Sequence, residues 1–85
     1  MGSDNLQARI QHSIAELRGA HPQLSACDFA LKGWREGGEA RHALWLDIRW
    51  PQHQSIVSGP ACGSPEMAVH AAFEQARRVL RDAHA

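Results

Sequence analysis

Arg77, Arg78 and Arg81 fall within the stretch FEQARRVLRDA, residues 73–83, and a guanidinium's planar fork of donors matches a phosphate oxygen pair. Phosphate binding is thus the first chemistry to weigh, with Arg9 as a fourth cation near the other end of the chain. Composition alone reads the same stretch as the solvated face of a helix. Glu74 precedes Arg78 by four residues, an orientation worth only about 0.2–0.5 kcal/mol when exposed, and late cations suit the helix dipole. From Pro65 onward the arginines are matched by Glu66, Glu74 and Asp82, so any basic patch comes from segregation and not from excess charge.

The whole chain repeats that balance, with nine Lys plus Arg against nine Asp plus Glu in 85 residues. It lacks the net positive charge that usually marks a nucleic-acid binder. Enzymatic chemistry has less to work with: no nucleophile motif, no phosphate-cradling glycine loop and no close carboxylate pair is present. The expectation is a protein that is not an enzyme and uses no cofactor. Cys27 and Cys62 stand far apart without metal-ligand spacing, and the six histidines are scattered, so neither a zinc site nor a disulfide is expected. No signal peptide or long apolar run appears, which reads as a reduced, cytoplasmic protein without a membrane or a small-molecule substrate.

These residues need elements to position them. From Asp4 to Arg18, Leu6, Ile10, Ile14 and Leu17 recur at helical spacing, predicting an amphipathic helix. Asp4 with Gln7 suggests a capping box, and Gly19 followed by His21–Pro22 a left-handed cap and a stop. Residues 1–5 are expected to be a disordered start or part of that cap. In residues 26–34, Cys27, Phe29 and Leu31 alternate with Asp28, Ala30 and Lys32, predicting a half-buried strand. REGGE provides the glycines of a hairpin loop. ARHALWLDIRW resumes the alternation with Leu44, Leu46, Ile48 and Trp50 inward. Pro51 ends it, QSIVSG reads as a weaker third strand, and GPACG as a loop. Ser64 then Pro65 reads as an N-cap and first helical residue, opening a helix whose apolar stripe is Val69, Ala72, Phe73, Ala76 and Leu80.

The order α-β-β-β-α predicts one α+β domain over residues 1–85, an antiparallel three-stranded sheet with two helices on one face. The other face is then bare. Alternation places Trp45 there, beside Asp47 and Arg49, without a second aromatic, so Trp45 and Arg49 are expected as partner contacts more than as a base-stacking site.

Several strings in this order resemble the ribosome hibernation-promoting factor and ribosome-associated inhibitor family, also called ribosomal subunit interface proteins. They are LQARI and IAEL in the first helix, HPQLSAC before the first strand, LWLDIRWP, IVSG and AFEQARRVL, together spanning Leu6 to Asp82. The resemblance implies a cytoplasmic protein that binds the small ribosomal subunit in the channel used by messenger and transfer RNA and inactivates ribosomes under stress. It implies steric occlusion, with Arg9, Arg77, Arg78 and Arg81 meeting ribosomal RNA phosphates. Of the family's basic positions on the last helix, which fall here on Gln75, Arg78 and Asp82, only Arg78 is basic. The family also carries a strand before the first helix, where this chain has MGSDN. The strand at 26–34 is therefore expected to be an open edge, and a homodimer through it is the alternative expectation: a diverged interaction module without RNA binding. The α-β-β-β-α order is shared with double-stranded RNA-binding domains, but SPEMAVH stands where those carry a lysine cluster.

Overall fold

The computed structural model describes the backbone of residues 2–83 and the side chains of residues 5–82. Its elements are α1 (Gly2–Ala20), β1 (Ala26–Glu36), β2 (Glu39–Trp50), β3 (His53–Ser58) and α2 (Pro65–Ala83). The sheet is antiparallel in the order β1-β2-β3, with both helices packed on one face. This is the α+β arrangement that the alternation and helical periods predict.

The core follows from those two periods. Ile10, Ile14 and Leu17 of α1 meet Val69, Ala72, Phe73, Ala76 and Leu80 of α2 over Leu44, Leu46, Ile48 and Val57 of the sheet. Phe73, Leu44, Leu46, Ile48 and Leu80 are essentially inaccessible, and full burial of such a side chain stabilises by roughly 1.5–3 kcal/mol. Leu6, Cys27, Phe29, Leu31 and Trp50 pack at the margin and remain half-buried.

The element ends depart from expectation in instructive ways. α1 begins at Gly2, so residues 2–5 are helical; the side chain of Asp4, and with it the capping box, lies outside the described residues. Gly19 adopts no left-handed conformation and stays in the helix. The His21 N–H still bonds the Leu17 carbonyl at 3.0 Å, and it is Pro22, without an N–H, that prevents continuation. The Leu24 N–H then bonds the His21 carbonyl at 3.0 Å, a tight turn that drops Leu24 into the core.

Both strands of the first hairpin run further than residues 26–34 and 40–50, pairing Glu36 with Glu39 and leaving Gly37 and Gly38 as the whole turn. Their φ values, +60° and +83°, are those of a two-residue hairpin turn in which both central residues are left-handed. The second hairpin turn is Pro51–Gln52, joining Trp50 to His53. Gln52 has φ +69°, and Pro followed by a left-handed residue is a type II pattern that favours glycine at the second place. The GPACG loop also holds more order than a loop implies: Cys62 and His42 exchange both backbone hydrogen bonds at 2.8 Å, extending the β3 side of β2.

The start of α2 follows the sequence reading. The Met67 N–H donates to Ser64 Oγ at 3.2 Å and the Ala68 N–H to the Ser64 carbonyl at 3.1 Å, which is N-cap geometry with Pro65 at the first helical position.

Candidate nucleic-acid interface

A helix turns about 100° per residue, and that rotation sorts the four arginines. Arg9 precedes buried Ile10 on α1 and is exposed. On α2, Glu66, His70, Arg77 and Arg81 share one ridge, at separations of four, seven and four residues. The two ridges meet in a shallow groove of about 160 Å³, lined by Arg9, Ser13, Glu66, His70 and Arg77 with Val69 and Phe73 beneath. Arg9 and Arg77 are thus brought to one place by two elements. Arg81 continues the line one turn further along.

Arg78 does not join them. It falls on the line of Ala71 and Gln75, and Ala71 packs against Gly59 at the end of β3, so this flank faces away from α1. The run ARR therefore divides between two sides of α2.

The electrostatics of the groove are mixed. Arg77 Nη2 donates to Glu74 Oε1 at 3.0 Å. That hydrogen bond, then the guanidinium charge, holds the Glu74 carboxyl below its ordinary range, with His70 and Arg78 adding smaller pulls. An ionised Glu74 competes with any phosphate for Arg77. Among the described residues, the side chains of Arg9, Arg78 and Arg81 take part in no hydrogen bond or ion pair. Sequence reasoning named the arginines but not Ser13, Glu66 and His70 as their neighbours; the 66-70-77-81 spacing carried that signal.

The bare face of the sheet is a separate surface. Cross-strand pairing puts Trp45 between Ala30 and Ser58, and Asp47 between Asp28 and Ile56. Trp45 is half-buried. Asp47 accepts hydrogen bonds from Gln54 Nε2 at 2.9 Å and from Arg49 Nη2 at 3.0 Å, which lower its carboxyl pKa, Gln54 contributing most. Arg49 is therefore already committed within the chain. The expectation that Trp45 is the lone aromatic on this face fails: Trp34, in the same alternating set as Asp28, Ala30 and Lys32 and paired with Arg41, lies on the same side with 39% of its surface exposed. Ile56 adds an aliphatic side chain at 67% exposure. Asp28, Phe29, Ala30, Trp45, Asp47 and Ile56 outline a shallow concavity of about 330 Å³ there.

A further cavity, about 410 Å³, lies between the first hairpin and the start of α2, lined by Leu6, Leu31, Lys32, Gly33, His42, Pro65 and Glu66. His42 Nδ1 lies 3.2 Å from where a Gly33 Cβ would stand, so the glycine makes room for the ring. Among the described residues no three His, Cys, Asp or Glu side chains cluster as metal ligands, and no helix is long and apolar enough to cross a membrane. No family model matches the chain, and no curated protein or solved structure matches it either.

Proposed function

We propose that this chain is a ribosome-associated translation inhibitor of the hibernation-factor type. In this reading it acts in the cytoplasm, laying its helical layer on ribosomal RNA of the small subunit and blocking the channel by occupancy, without covalent chemistry or a cofactor. The observation that carries the reading is the grouping of Arg9 with Arg77 at one inter-helix groove, with Arg81 on the same ridge. Two helices on one face of an antiparallel sheet support the reading, while the strand that the family carries before its first helix has no counterpart among the described residues.

Each phosphate neutralised releases condensed counterions, so log K falls with log salt by roughly 0.7–0.9 per contact. Three arginines at this surface give a slope of about 2 to 3. The test is co-sedimentation with small ribosomal subunits at two salt concentrations. The Arg9→Glu, Arg77→Glu, Arg81→Glu variant is expected to lose salt-sensitive binding, while Arg78→Glu, on the other flank, retains most of it. Equal losses from both variants, or no binding by the natural chain at low salt, would overturn the assignment.

A second reading is favoured by a different observation. β1 is an eleven-residue edge strand, exposed along most of its length, next to a bare face carrying Trp34, Trp45 and Ile56. On this reading the chain is an interaction module that self-associates through β1 and does not bind RNA. Light scattering of the eluting species across a concentration series tests it, and a monomer throughout would rule it out.

A further inference from the structure

Natural edge strands are usually short, or interrupted by proline, bulges or inward charges. β1 spans Ala26–Glu36 without a proline, and its ladder with β2 runs through eleven consecutive pairs with no break. The direction of its free backbone groups follows from hydrogen bonds at three places. The Arg49 carbonyl is taken by Ser25 on the β1 side, at 2.8 Å from the backbone N–H and 3.1 Å from the hydroxyl. The His42 N–H and carbonyl are taken by Cys62 on the β3 side. The two-residue Gly37–Gly38 turn is flanked by Glu36 and Glu39 as its closing pair. Backbone groups alternate along a strand, so odd-numbered β2 residues address β1 and even-numbered ones the β3 side. In the observed register, Cys27, Phe29, Leu31, Gly33 and Arg35 therefore direct their N–H and C=O groups to the open edge.

The side chains of the same strand carry an unmet electrostatic requirement. Asp28 stands directly opposite Asp47 on β2, and like charges in that position destabilise a sheet. Asp47 is satisfied by Gln54 and Arg49. The side chains of Asp28 and Lys32 form no hydrogen bond or ion pair among the described residues. Both lie on the bare face, four residues apart, symmetrically about Ala30.

We propose that a second copy of this chain pairs antiparallel with β1 about a two-fold axis at Ala30, so that Asp28 of each copy faces Lys32 of the other. This deepens the self-association reading and rests on it. The register joins two three-stranded sheets into one of six strands. Phe29 of each copy faces Leu31 of the other as a hydrogen-bonded pair, and Cys27 faces Gly33. On the helical side, Phe29 and Leu31 border a groove of about 280 Å³ with Leu6, Gln7 and Ile10, and pairing extends this apolar floor across the seam. Moving the axis breaks the charge match. At Asp28 or Lys32 it sets like charges against each other; at Phe29 it sets Asp28 against Ala30, and at Leu31 against Trp34.

The experiment combines a disulfide trap with charge exchange, each checked by sedimentation equilibrium. In a Cys27→Ser, Cys62→Ser background, Ala30→Cys places two thiols at a non-hydrogen-bonded pair, with Cβ atoms about 4.5–5.5 Å apart, close to disulfide geometry. Glutathione disulfide is expected to convert this variant to a covalent dimer. Asp28→Cys, whose two copies stand four residues apart along the ladder, is expected to remain uncrosslinked. Asp28→Lys and Lys32→Asp each set like charges opposite and are expected to raise the dimer dissociation constant about tenfold, while the double exchange returns it to near the natural value. A dimer that the Ala30→Cys variant fails to trap, and that shows no rescue by the double exchange, overturns this register while leaving self-association standing. A natural chain that stays monomeric at the highest attainable concentration overturns both.

Discussion

Gly59 ends β3 where α2 crosses the sheet, and the contact leaves no space for a side chain. A Cβ at Gly59 would stand 2.7 Å from the Ala71 Cβ, 2.8 Å from its carbonyl carbon and 3.0 Å from the Ala72 nitrogen. Two of these atoms are backbone, so relief requires α2 to move off the sheet. Gly59→Ala is expected to destabilise the fold by about 1–3 kcal/mol, read as a lowered urea midpoint with an unchanged denaturant slope. Asp47 provides a residue-scale prediction about pH. Hydrogen bonds from Gln54 and Arg49 depress its carboxyl pKa in the folded state. A depressed folded value means that the stabilisation is complete above the unfolded pKa of about 4 and is lost as pH falls through the folded value. Asp47→Asn removes this contribution, so its stability is expected to decline less steeply than the natural chain's below pH 4. An unchanged slope in acid denaturation would show that the two hydrogen bonds carry no linkage.

At the scale of elements, the second hairpin holds the clearest local conflict. Gln52 occupies φ +69° after Pro51, a conformation that costs a non-glycine residue roughly 1 kcal/mol or more. Gln52→Gly is expected to raise stability by about 0.5–1 kcal/mol, the strain relieved being partly offset by the entropy of a more flexible unfolded chain. Thermal melts of the two chains decide this, and a lower midpoint for glycine would place the strain elsewhere. The elements themselves are legible in the sequence because each is written twice, in periodicity and in punctuation. The α2 stripe and the Ser64–Pro65 cap coincide, as do the alternation in β2 and its closing Pro51. Where only one signal exists, the pattern misleads. Gly19 resembles a helix cap in isolation, but the Leu17 carbonyl keeps its partner beyond the glycine and the helix continues through it. The first hairpin loop reads longer than it is because Arg35, Glu36 and Glu39 are polar on both faces and carry no period. Only pairing across to β2 shows that they are strand. The groove between the helices depends on how α1 and α2 cross, and a one-dimensional pattern does not encode that contact.

On the scale of the molecule, the protein is a thin two-layer plate, 41 × 26 × 16 Å, whose helices do not cover the whole sheet. Residues 32–40 are exposed throughout, so the tip of the first hairpin projects as a two-stranded arm. The two surfaces proposed for partners lie on different sides of the plate: arginines on the outer side of the helices, the open β1 edge and its aromatic neighbours along the sheet. Nothing in the geometry forces a choice between them, and a chain paired through β1 displays two arginine ridges in place of one. The Gly37–Gly38 turn has a different consequence. It lies at the far end of the arm and contributes nothing to the core, while eleven β1–β2 pairs and the packing of α1 on α2 join the chain on either side of it. The peptide bond between the two glycines is accordingly where the polypeptide is expected to tolerate interruption. Residues 1–37 and 38–85, produced as separate peptides and mixed, are expected to reassemble into the native structure, with α1–β1 as one half and β2–β3–α2 as the other. Recovery of the far-ultraviolet spectrum and cooperative melting of the intact chain measures this, and two fragments that stay unfolded together would show the turn to be a covalent requirement.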